Sequence, residues 1–237
     1  MKRALFAVCA IALAWAVASW LPSELSSDAA GAGDAGPDST STRLPVLLVP
    51  GWLDTSEDMD RLRSRLVDAG WPPNHVRAVP FDDPAGSNRE HAVELDVVAR
   101  SVLRETGADS LDIIAFSMGG LATRWYLLRE EPVPVRRVAF LASPHRGTVA
   151  AHLAWGDGRD EMLPGSPFLD SLNAGPALPE GVEAITVRTQ IDTHVIPDES
   201  ATLPGVPDHE VCCPTHPGML RNAEVFEIVR AFLTAGG

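Results

Sequence analysis

From residue 46 onward, short apolar runs alternate with amphipathic segments. Val46-Leu47-Leu48-Val49 is unbroken apolar and stops at Pro50-Gly51. A run of that length, bounded by turn residues, predicts a buried strand. A helix follows from about Glu57: acidic residues fill its first turn, Met59, Leu62 and Leu66 share a face, and Gly70 ends it. His75–Pro80 reads as a second strand and Arg89–Thr106 as a helix that buries Ala92, Leu95, Val98 and Val102 and stops at Gly107. Leu111–Phe116 is a third apolar run, and LATRWYLLRE after Ser117 has helical character. Val135–Leu141 and Val182–Thr189 are further strands, Glu210–Cys213 is short and weakly marked, and Ala223–Leu233 closes the chain as an amphipathic helix.

Strands that alternate with helices imply a mostly parallel sheet with helices on both faces. Right-handed crossovers then bring the loops after the strands to one rim, where such sheets bind ligands. Thr148–Pro179 is rich in Gly and Pro and long for a connector, the profile of a lid or binding loop.

The first 42 residues follow another pattern. Lys2 and Arg3 precede an apolar run, and Ala16-Val17-Ala18 has the small-x-small form of an export cleavage site. The expected organisation is a signal peptide over 1–18, with a site near Ala32 as the alternative, a flexible linker over 19–42 rich in Ser, Gly, Ala and Asp, and one catalytic domain over 43–237. The expected location is secreted, and an uncleaved N-terminal anchor is the alternative. Without Cys9 the exported chain keeps two cysteines, the adjacent Cys212 and Cys213. Two readings stand: buried thiols on a strand, or a vicinal disulfide formed in an oxidising compartment.

The net charge of −13 disfavours nucleic acid as a partner. No zinc-ligand spacing occurs, so no metal is expected, and a monomer is the expected state.

The chemistry sits in LDIIAFSMGG, residues 111–120. Strand, sharp turn and helix, with a serine at the turn and small residues around it, is the pattern of a nucleophile elbow. Serine needs a histidine to take its proton and an acid to orient that histidine. Asp192 stands just after the strand ending near Thr189, with Asp198 a deeper second choice. His216 stands between the last strand and the last helix, whereas His209 and His194 are worse placed. The chain order Ser117, Asp192, His216 is that of α/β-hydrolases. Two amides should hold the oxyanion: that of Met118, after the nucleophile, and that of Trp52, after the Pro50-Gly51 turn.

PVLLVPGW, AFSMGG, LASPHRGT, MLPGSPFLDSLNAG, IDTHVIP and THPGML, in that order, resemble the secreted bacterial lipases and esterases of the lipase class 2 group. The resemblance runs from about Pro45 to the C-terminus. It implies an α/β-hydrolase fold, a Ser117–Asp192–His216 triad, no required cofactor, and a lipid or other carboxylic ester as substrate, with transient contact at a membrane or lipid interface. Pro50-Gly51 replaces the family's common His-Gly, and Ala115 its commoner glycine. His145 reads as structural support. Acyl transfer to an acceptor other than water would use the same groups. A catalytically silent hydrolase fold used for binding is a further reading, against which the three triad residue types argue.

Overall fold

Successive residues of the first strand, β1 (Val46–Val49), face opposite sides of the sheet, and both sides are covered. Val46 and Leu48 enter one apolar cluster, Leu47 and Val49 another. That is why the run is continuously apolar. In this computed structural model residues 43–128 and 131–236 are described; the expected signal peptide and the whole of the expected linker lie outside them.

The other strands are β2 (Val76–Ala78), β3 (Leu111–Phe116), β4 (Val135–Leu141), β5 (Glu183–Arg188) and β6 (Asp208–Glu210). They form a six-stranded sheet in the order β2-β1-β3-β4-β5-β6, and every pairing is parallel. Among the described residues six α-helices accompany them: α1 (Asp60–Asp68), α2 (Asn88–Thr106), α3 (Gly119–Leu127), α4 (Asp157–Met162), α5 (Pro167–Asn173) and α6 (Ala223–Thr234). Leu62 and Leu66 of α1 and Val225 and Val229 of α6 cover one face. Leu95 and Val102 of α2 and Tyr126 of α3 cover the other. This is the α/β-hydrolase arrangement. The chain runs outward from β1 to β2 and then returns to β3 on β1's other side. Loops leaving β1 and β3 therefore diverge, which opens a crevice at their carboxyl ends.

Two boundaries differ from the sequence expectation for physical reasons. The first helix begins at Asp60, not Glu57. Asp58 instead closes a turn, accepting from the Thr55 amide at 2.8 Å and the Thr55 hydroxyl at 3.1 Å. The last strand is Asp208–Glu210, not Glu210–Cys213. It is an exposed polar edge strand without hydrophobic alternation. Arg188 of β5 binds the side chains of both Asp208 and Glu210 across the pairing. The buried-thiol reading of the cysteines is accordingly wrong: Cys212 and Cys213 lie beyond the strand, are exposed, and are joined as a vicinal disulfide.

Candidate active site

Ser117 directly follows β3 with φ +51°, a left-handed conformation that a serine adopts only under constraint. Its amide donates to the Leu141 carbonyl at 2.8 Å, which ties the turn to β4. The bare residues beside it are required by close approach. A Cβ on Gly119 would strike the Pro50 carbonyl oxygen, and one on Gly120 would strike the Ser143 hydroxyl. The helix can therefore start directly against β1 and β4 and hold the serine above the sheet.

His216 opens a 3₁₀ turn before α6 and is 4 % exposed. Its Nε2 lies 2.9 Å from Ser117 Oγ, and its Nδ1 lies 2.8 Å from Asp192 Oδ2. With the proton on Nδ1, the ring donates to Asp192 and accepts from the serine. Asp192 Oδ1 takes the amides of His194 at 2.8 Å and Val195 at 2.9 Å. Burial opposes ionisation of this carboxyl. The bond from His216, its charge and the two amides outweigh that and hold Asp192 below the usual carboxylate range. The structure thus brings Ser117, His216 and Asp192 into one hydrogen-bonded relay. Asp198 instead binds Arg188, and His209 is an exposed residue of β6. Trp52 lies at the mouth of the β1 loop and Met118 follows the serine. Neither amide takes a hydrogen-bond partner among the described residues.

His194, set aside in the sequence, belongs to the site as well. Its ring stacks on His216, with centroids 4.6 Å apart and planes at 17°. Partial burial and the neighbouring His216 lower its pKa, against the attraction of Asp192. Asp192, His194 and His216 each present an atom that could ligate a metal, all within 4.8 Å of one another. The bonds that His216 makes at both ring nitrogens compete with that use.

The SPHRGT segment after β4 braces this rim. Thr148 Oγ1 donates to the His194 carbonyl at 2.8 Å and accepts from the Ile196 amide at 2.9 Å, which anchors the acid loop. Asn173 of α5 donates to the His145 carbonyl at 3.0 Å. Arg124 of α3 donates to Asn173 Oδ1 at 2.9 Å and to the carbonyls of Ala177 and Leu172 at 3.0 and 3.3 Å. Burial lowers the Arg124 pKa to about 10, so it remains a cation at neutral pH. The two sequence motifs SPHRGT and PGSPFLDSLN are therefore two sides of one clamp.

His145 is fully buried, edge-on to Phe140 at 4.8 Å, and neither ring nitrogen meets a hydrogen-bond partner among the described residues. Burial, with Arg124 and Arg146 nearby, holds its pKa well below 6.5. The folded state thus keeps the ring neutral where the unfolded chain binds a proton. Stability should be intact above pH 6.5 and fall as pH drops below it, by up to about 1.4 kcal/mol per pH unit. Urea unfolding across that range checks this. His145→Leu should flatten the acid side of the curve, and an unchanged slope in that variant would refute the assignment.

A cleft of about 360 Å³ opens over Ser117 and His216. Phe116, Pro144, Ala151, Leu153, Met162 and Val195 make much of its wall apolar. Large apolar side chains also stand exposed on the loops that form the mouth: Leu53, Val149, Leu153 (89 % exposed), Trp155 (61 %), Ile191 and Ile196. Trp155 packs edge-on against Trp52 and accepts from its indole N–H through the carbonyl at 3.1 Å.

No family model matches the chain. Solved structures do. A Bacillus licheniformis lipase, BlEst2 in its mature form, superposes with a TM-score of 0.70 at 16 % identity over 84 % of this chain and 95 % of that one. Aspergillus fumigatus lipase B gives 0.69 at 18 % identity over 84 % and 54 %. An esterase from Exiguobacterium antarcticum gives 0.56 at 15 % identity over 81 % and 92 %. At these identities the likeness establishes the α/β-hydrolase fold.

Proposed function

We propose that this chain is an exported carboxylic ester hydrolase that cleaves lipid esters through an acyl-enzyme. The observation that carries the reading is the Ser117–His216–Asp192 relay on the floor of an apolar cleft. Ser117 Oγ attacks the ester carbonyl as His216 Nε2 takes its proton. Asp192 orients the ring and stabilises the imidazolium. The Trp52 and Met118 amides receive the negative charge that develops on the carbonyl oxygen. His216 then protonates the departing alcohol, and water, activated by the same ring, releases the acid. Three solved lipases and esterases with this fold are in keeping with the reading.

The apolar mouth favours a lipid over a small polar ester, because exposed apolar patches of this kind mark sites that meet apolar partners. The basic-then-apolar N-terminus ending in Ala16-Val17-Ala18 supports export.

A p-nitrophenyl ester series tests the substrate class. kcat/KM should rise with acyl length from acetate until the cleft is filled, because each buried CH₂ contributes about 0.8 kcal/mol. A flat or falling series would leave an esterase and remove the lipid reading. Free acid as the product in the presence of competing alcohols separates hydrolysis from acyl transfer.

A further inference from the structure

The triad does not use the carboxyl group of Asp54, which lines the same cleft. Asp54 follows the β1 turn, and its own amide donates to the Gly51 carbonyl at 3.2 Å. A Cβ built on Gly51 would lie 2.7 Å from Asp54 Oδ2 and 2.8 Å from the Ser117 Cβ. The carboxylate and the nucleophile therefore flank the same bare Cα. Burial and the nearby Asp58 raise the Asp54 pKa, while the charge of His216 and the Gly51 amide oppose the rise. Asp54 thus lies within electrostatic reach of the triad histidine.

That placement decides which part of an ester it meets. The alcohol oxygen must lie at His216 Nε2 to receive its proton, so the alcohol portion occupies the His216 side. The apolar wall from the β4 loop, Pro144 to Met162, suits the acyl chain. Among the described residues no lysine or arginine lines the cleft, whereas the carboxylate of Asp54 does. Asp54 therefore makes the lining attractive to a cation. Trp52, on the same loop as Asp54, adds to the lining an aromatic side chain, a group that favours ammonium ions.

We infer that Asp54 is a specificity-determining residue that selects esters whose alcohol portion carries a positive charge near the ester oxygen. This rests on the ester-hydrolase reading above. A negatively charged alcohol portion would meet repulsion at the same place.

The test compares a choline ester with its uncharged carbon isostere, the 3,3-dimethylbutyl ester of the same acid, at mildly alkaline pH in low salt. The intact chain should favour the choline ester by about tenfold in kcat/KM, the scale of one partly screened charge pair. Asp54→Asn keeps the size of the side chain while removing its charge, and should collapse that ratio to about one. The ratio is insensitive to the fraction of enzyme folded. Parity between the two esters in the unaltered chain would overturn the inference, and so would a preference that survives in Asp54→Asn. Cleavage of neither ester, nor of any p-nitrophenyl ester, would instead remove the hydrolase reading on which it rests.

Discussion

Ser117→Ala is expected to abolish ester hydrolysis, lowering kcat by about 10⁴–10⁶. The hydroxyl is the only part of the side chain lost. Its hydrogen-bond partner is His216, while the Cβ that packs against Gly51 remains. The fold should therefore persist, with the same circular dichroism and a similar denaturant midpoint. No neighbouring hydroxyl can substitute, because the strained turn at the end of β3 presents this one atom at 2.9 Å from His216 Nε2. Near-normal turnover by the folded variant would remove the mechanism outright.

The second large effect is at the base. His216→Gln keeps most of the side-chain volume against Phe116, whose ring centroid is 4.8 Å from that of His216. It cannot shuttle a proton, so kcat should fall by about 10⁴ or more. His209→Ala should leave the rate unchanged, since that residue is exposed on the edge strand. His194→Ala should lie between, with a loss of about tenfold or less, because its ring covers His216 without bonding to the serine. Comparison of kcat/KM for the three variants on one ester checks the order. An equal loss from His209→Ala would mean that another histidine serves the serine.

The sequence was informative where burial imposes a pattern. β1, β3 and β4 are covered on both faces, and each reads as a mainly apolar run, interrupted by Asp112 in β3 and by Arg136 and Arg137 in β4, that ends where the strand ends. Ser117 was legible because the elbow demands small residues around it, and those demands are visible as Gly119 and Gly120. β6 was misplaced because charge, not apolar burial, pairs it to β5 through Arg188. Asp54 and His194 were not read as site residues for a related reason. Each sits on a loop whose path depends on packing that no local pattern encodes: Asp54 on the bare Cα of Gly51, and His194 on the face of a ring 22 residues away in the chain. The β1 turn itself reads clearly as Pro50-Gly51, yet its contents do not announce which side chain turns toward the cleft.

The most direct test of the account is covalent. The intact chain is incubated with a fluorophosphonate, digested, and its peptides weighed. A triad-activated serine predicts one adduct per chain, carried on Ser117, with labelling lost in Ser117→Ala and strongly slowed in His216→Gln. No adduct on a folded protein, or an adduct on a different residue, would contradict it.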